Sequence, residues 1–247
     1  MTRRTQGLVL LESFLGNFLF SICLLFGVRE TSAMVTGVLM AGIPAAVALL
    51  SWLFLRERIA RRVRLGIALS VAGIALVALD RGSGNSDTGG DTQTSLLGAL
   101  LVLAAVFCEA SYVVIGKKLT QNLSPKRISA LINLWGLVLV TPFGIWQALS
   151  FDFAAVELSN WGLLLFYALA ASIATVWLWM RGLRHVPAAQ AGVFMVFLPI
   201  STALIGFFVL GESISAVQAL AYAIALAGVV LASWPGAGTD AQPIALR

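Results

Sequence analysis

The sequence predicts an all-α integral membrane protein, with eight transmembrane helices in an inverted-repeat bundle. Three observations predict it. First, 60% of the 247 residues are apolar and only 11% are charged, against about 25% charged in a typical soluble domain; mean hydropathy is +0.95. Second, the apolar residues come in runs long enough to span a bilayer, for which roughly 20 helical residues suffice. Third, the chain matches itself when slid by 155 residues. The first two observations exclude a soluble globular enzyme, a disordered chain and a nucleic-acid partner. The net charge of +5 comes from short basic clusters between apolar runs, the pattern of topology signals.

Charged residues bound the helices. Glu12 is the one charge between Arg4 and Arg29, which predicts a first helix over 7–28. No cleavage site follows that run, so no signal peptide is expected. The uncharged stretch after Thr31 predicts a second helix over 32–55. Leu65–Leu79 is short for a span, so the third helix is expected to begin near Ile59, with arginines snorkelling to the headgroups. The segment 80–95, DRGSGNSDTGGDTQTS, reads as a flexible polar linker outside the membrane. A fourth helix is expected over 96–116, with Glu109 as its one charge, and a fifth over 128–149 after a basic loop carrying Ser124-Pro125. The remaining three are expected near 159–181, 187–210 and 214–234, with a loose tail over 235–247. Lysine and arginine set the orientation. With a cytoplasmic N-terminus, 14 of the 16 basic residues fall on the cytoplasmic side and only Arg29 and Arg81 on the other. Both termini are therefore expected in the cytoplasm.

At the 155-residue offset Gly27 meets Gly182, Arg29 meets Arg184, Pro44 meets Pro199, Glu57 meets Glu212 and Gly73 meets Gly228. Shared Pro, Glu and Arg at one offset are hard to obtain by chance, so this reads as a structural repeat. Glu57 lies on the basic side and Glu212 on the opposite one, so the copies are inverted, a design common in secondary transporters. The predicted organisation is an incomplete N-terminal repeat of three helices (1–79), the linker (80–95), a C-terminal repeat of five helices (96–234) and a cytoplasmic tail (235–247). That is three plus five of a five-plus-five design, with two helices expected to be missing before Met1.

The unit Ala33…Pro44…LLSWLFLRERI (49–59)…Gly66…Gly73 and its copy Ala188…Pro199…LIGFFVLGESI (204–214)…Gly228 resemble the EamA repeat of the drug/metabolite transporter superfamily. The resemblance implies a fold of two inverted five-helix repeats. It also implies movement of small metabolites, amino acids or drugs across the bacterial inner membrane, usually outward; the alternative is a truncated, non-transporting membrane protein or a subunit that needs a partner to complete the bundle.

The mid-helix prolines Pro44 and Pro199 are hinge candidates, since proline removes a helical hydrogen bond. Glu12 and Glu109 are carboxylates inside spans. A charge at the bilayer centre costs about 2.5–3.5 kcal/mol on insertion scales, so each should face a cavity, be protonated or lie near an interface. Cation recognition or proton coupling is their functional reading. Asn17 and Gln190 are uncharged polar candidates for the cavity, whereas Asn133 reads as interhelical glue. Tyr112 follows Glu109 by one turn on the same face. Trp177 is deep enough in its helix to stack on a substrate. Glu57 and Glu212 read as fold residues that cap a following helix or pair with arginines, and His185 as a loop residue. Cys23 and Cys108 read as core filler. Nothing has metal-ligand spacing or a nucleotide-binding loop, so no metal, cofactor or catalysis is expected, and transport must be gradient-driven. The expected partners are membrane lipid and a small-molecule substrate. Gly66 and Gly73 suit close packing, inside the bundle or between two copies in a homodimer.

Overall fold

The computed structural model describes residues 2–31, 33–84, 95–210 and 215–234. Glu212, most of the 80–95 segment and the 235–247 tail lie outside the described residues. Among the described residues every regular element is helical: α1 (Arg3–Arg29), α2 (Ala33–Met40), α3 (Ile43–Leu50), α4 (Arg61–Gly84), α5 (Leu96–Leu119), α6 (Pro125–Ala148), α7 (Leu158–Leu183), α8 (Ala188–Val193), α9 (Phe197–Leu210) and α10 (Ala216–Ser233). Among these residues seven helices are long and apolar enough to cross a membrane. They are α1, the α2–α3 stretch from Val35, α4, α5, α6, α7 and α10.

Local chemistry sets the boundaries, and it corrects several expected ones. Ser124-Pro125 is not loop: Ser124 is the N-cap of α6 and Pro125 its first residue, where the missing N–H costs nothing. The third helix starts at Arg61 rather than Ile59 and runs past 79 to Gly84, into the segment read as linker. Ser215 and Gln218 form a reciprocal capping box that starts α10. The stretch expected as one helix over 187–210 is broken by a 3-10 turn at Phe194–Val196.

Pro44 does not sit mid-helix. It is the second residue of α3, just after a break at Ala41–Gly42 where the Gly42 N–H turns back to the Leu39 carbonyl. Pro199 holds the corresponding place early in α9, just after the 3-10 turn. The break replaces the kink because proline fits a first helical turn and clashes in an interior.

The helices of the two halves start in step. α1, α2 and α4 begin at Arg3, Ala33 and Arg61, and α7, α8 and α10 begin at Leu158, Ala188 and Ala216. Each pair is separated by the 155-residue offset of the sequence match.

α4 packs along α10, α1 along α5, and α3 on α5 and α8. Glycine allows the closest approaches. A Cβ on Gly66 would stand 2.7 Å from the Gly228 carbonyl oxygen, and one on Gly228 would stand 2.6 Å from the Gly66 carbonyl oxygen. Gly73 meets Ala221 and Ala225 in the same way. This contact lies inside the chain, between its two halves. The largest apolar cluster joins Val47, Val106, Val113, Ile128, Met180 and Ala191 from α3, α5, α6, α7 and α8. Outward faces carry exposed leucine and phenylalanine, and every residue from Glu157 to Leu169 is exposed. Cys23 and Cys108 are buried free thiols.

Arg56 alone among the described non-glycine residues has a left-handed backbone, with φ of 54°. That conformation costs a side-chain-bearing residue roughly 1–2 kcal/mol. It ends the π-helical turn Ser51–Leu55 and reverses the chain toward α4.

Candidate functional site

The polar seam of the bundle runs along one face of α1. Val9, Glu12 and Ser13 are buried, and the helical period adds Gly16 and Asn17 to the same side. α5 runs antiparallel against this face with the spacing reversed. A Cβ on Gly116 would stand 2.7 Å from Glu12 Oε1, and one on Gly16 would stand 2.5 Å from the Tyr112 ring. Glu12 therefore lies over Gly116, and Tyr112 over Gly16, one turn apart on both helices. Met180 and Leu183 close the same pocket, 3.1 and 3.2 Å from the Gly116 Cβ position.

Glu12 is 0% exposed, and neither carboxylate oxygen has a hydrogen-bond partner. Burying an unpaired ionised carboxylate is among the most costly arrangements in a protein. A fold that keeps one invites an occupant, either a proton or a cationic group. Glu109 is half-buried on α5, three residues before Tyr112 on the same helix. Glu12 and Tyr112 thus sit one turn apart along the α1–α5 contact, and the helical spacing puts Glu109 one turn from Tyr112 on α5.

α6 lies on the other side of α1. The Ser13 hydroxyl donates to the Ile132 carbonyl at 2.9 Å, and the Asn17 amide is 3.2 Å from the Gly136 Cβ position. Asn17 therefore joins the seam one turn beyond Glu12.

Sequence reading missed a backbone feature here. α1 is π-helical over Phe14–Leu19 and α7 over Leu169–Thr175. A π-helical stretch inserts one residue per turn and often marks a functional position. The two stretches start 155 residues apart. In each, the carbonyl at the equivalent residue takes a side-chain donor. The Ser21 hydroxyl donates to the Asn17 carbonyl at 2.6 Å, and the Asn133 amide donates to the Ser172 carbonyl at 2.7 Å and to the Ser129 carbonyl at 2.8 Å. Asn133→Leu is expected to lower stability by about 1 kcal/mol, read as a fall in unfolding temperature in detergent; no fall would separate Asn133 from the upkeep of the α7 stretch.

Other candidates lie elsewhere. Trp177 carries the Arg181 guanidinium over its ring, 5.8 Å from the centroid, so an internal cation occupies that ring face. The indole N–H of Trp179, by contrast, is buried without a partner. Trp179 lines a cavity of about 300 Å³ with Leu178, Gly182, Leu183, Val186 and Phe194. Leu183 belongs to both this cavity and the Glu12 pocket. Gln190 donates to the Ala232 carbonyl at 2.8 Å, which ties α8 to α10. Pro44 is buried against the core, and His185 is exposed.

Glu57 caps a helix, but not the following one. Its oxygens accept the backbone N–H groups of Ala188 and Ala189 at 3.1 and 3.3 Å, together with the Ser51 hydroxyl. It caps α8, which belongs to the other half of the chain. Lys117 does the complementary work by donating to the Leu183 and Arg184 carbonyls at 2.9 and 3.2 Å, past the end of α7. A carboxylate at a helix start and an ammonium at a helix end both match the helix dipole. Among the described residues no group of three or more His, Cys, Asp or Glu side chains could hold a metal ion.

Comparison with known proteins places this geometry. The model of the EamA-like transporter family matches residues 3–79 and 96–234. The uncharacterized transporter YetK of Bacillus subtilis is 33% identical over 245 residues, covering 99% of this chain and 73% of YetK. The uncharacterized transporter YyaM of the same organism is 25% identical, covering 89% of this chain and 70% of YyaM. A crystal structure superposes on 91% of this chain and 75% of its own, with a TM-score of 0.75 at 15% identity, a likeness of fold alone.

Proposed function

This chain belongs to the EamA-like transporter family, and from that premise we propose that it is a secondary transporter that exports a small organic solute through a proton- or cation-binding site at Glu12. The family and the run of apolar helices make it a multi-pass membrane protein. The observation that carries the finer reading is the Glu12 carboxylate, wholly buried and without a partner between α1, α5 and α7. Glu109, Tyr112 and Asn17 complete the binding group, and Trp179 and its cavity offer the apolar part. The substrate class is a metabolite, amino acid or drug.

In this reading α8, the 3-10 turn and α9 form one broken span, giving eight. The halves 1–79 and 96–234 are inverted copies, three helices and five. Support comes from the shared 155-residue spacing of helix starts, of helix breaks before Pro44 and Pro199, and of the π-helical stretches. The prolines mark where each broken helix bends in alternating access, a common use of discontinuous helices. In this reading the protein lies in the bacterial inner membrane, and the distribution of basic residues supports cytoplasmic termini. No catalytic step is assigned to it.

The test is transport in proteoliposomes under an imposed pH gradient, with a panel of cationic, zwitterionic and neutral solutes. Glu12→Gln keeps the shape and removes the charge. It is expected to fold normally and to lose transport at least about ten-fold, the loss of one essential charge contact. Unchanged flux and unchanged response to the gradient in Glu12→Gln would remove the carboxylate from the mechanism. A second reading rests on the unbroken exposure of Glu157–Leu169: a second copy or partner subunit covers α7. A measured mass in detergent above that of one chain supports it.

A further inference from the structure

The turn between α3 and α4 holds an open groove of about 830 Å³ lined by Trp52, Leu53, Arg56, Arg58, Ile59 and Arg64. A second groove of about 300 Å³, lined by Ala45, Ala48, Leu49 and Ile67, shares Trp52, Ile59 and Arg64 with the first. The two therefore form one continuous feature with a basic end and an apolar end. The basic end sits at the membrane–water boundary, because it lies between two spans. The apolar end runs along the flank of α3 and α4, where acyl chains lie.

The charge in the groove is available. Glu57 also lines it, but its carboxylate already accepts the Ala188 and Ala189 N–H groups and the Ser51 hydroxyl. Among the described residues no carboxylate pairs with Arg56, Arg58 or Arg64, and all three are exposed.

Arg56 supplies an independent argument. Its left-handed backbone is a position that glycine fills without strain. The matching residue of the second repeat is Gly211. Arginine here carries a strain that glycine would not, and its side chain is what the position gains. Strain of this kind clusters at functional sites.

We propose that this groove binds one anionic phospholipid, with its phosphate held by Arg56, Arg58 and Arg64 and one acyl chain laid along Ala48, Leu49 and Ile67. Arginine forks match phosphate oxygens, and basic pockets between membrane helices suit anionic headgroups. A free anion would use the arginines and leave the apolar end empty. A zwitterionic lipid would use the apolar end and offer its phosphate, but would bring its own ammonium beside three cations.

Native mass spectrometry of the detergent-solubilised full chain, titrated with phosphatidylglycerol or phosphatidylcholine, tests this. Wild type is expected to retain one phosphatidylglycerol per chain at concentrations where phosphatidylcholine is stripped. Each arginine lost should weaken retention about five-fold, from roughly 1 kcal/mol per basic residue near an anionic surface. Arg56→Gly is the informative variant, because it relieves the backbone and should fold at least as well as wild type while losing lipid. Arg58→Gln with Arg64→Gln, added to it, should abolish selective retention. Three results would overturn the proposal: equal retention of the two lipids, unaltered phosphatidylglycerol retention in the triple variant, or full displacement of the lipid by excess glycerol phosphate. The last would assign the arginines to a soluble anion.

Discussion

Gly228→Val is expected to remove most of the folded protein, with a cost of about 3 kcal/mol or more in what survives. A Cβ at this position would stand 2.6 Å from the Gly66 carbonyl oxygen and 3.0 Å from the Ser70 backbone nitrogen. Both are backbone atoms on α4, so no side chain can swing aside. α4 and α10 must move apart, and the contacts of Gly73 with Ala221 and Ala225 loosen with them. In a bilayer this loss is not offset by hydrophobic burial, since helix association there depends on close van der Waals fit. Gly162→Ala provides the control, because nothing lies within 4 Å of a Cβ there. Its unfolding temperature in detergent should hold or rise slightly, by helix propensity. If Gly228→Val matched the control, the α4–α10 seam would not be what holds the halves together.

Glu57→Ala is expected to cost about 3 kcal/mol. It strands two backbone N–H donors at the start of α8 and the Ser51 hydroxyl, and hydrogen bonds to a charged group contribute about 1.5–3 kcal/mol. The lost match between carboxylate and helix dipole adds a few tenths to one. Glu57→Gln should recover about half, because an amide oxygen still accepts one N–H. Glu57→Asp should behave like alanine, being one methylene too short to reach α8. Thermal unfolding of the three variants checks the order; equal melting of glutamine and alanine variants would mean that charge alone, not hydrogen bonding, matters at this cap.

Helix positions were legible because charged residues are costly in a bilayer and so fence each span. Ends were less legible. Ser124-Pro125 reads as loop on polarity, whereas Ser124 caps α6 and Pro125 starts it. The offset that aligns Pro44 with Pro199 was visible in sequence, whereas the helix breaks before them depend on backbone turns that no residue type announces. The same is true of the π-helical stretches, which contain ordinary leucine, alanine and phenylalanine. In the proposed site, Glu12, Glu109 and Tyr112 were named from their place in spans and their spacing alone. The cap by Glu57 was not, since its acceptor role joins residues 131 apart. Trp177 could have been read better: Arg181 stands at i+4, a spacing that brings the two together on any helix.

The paired π-helical stretches also set a geometrical step size. If Phe14–Leu19 tightened to α-helical winding by expelling one residue, everything beyond it on α1 would turn by about 100° and shift by about 1.5 Å. Glu12 precedes the stretch and Asn17 lies within it. Such a rewinding would hold the carboxylate still while swinging the amide to another face. The same step in α7 would leave the exposed Leu163–Tyr167 segment fixed and rotate Trp179 relative to it. Each half of the chain thus carries its own screw thread, cut at the same place, able to reorient one polar or aromatic group without unpacking the helix that bears it.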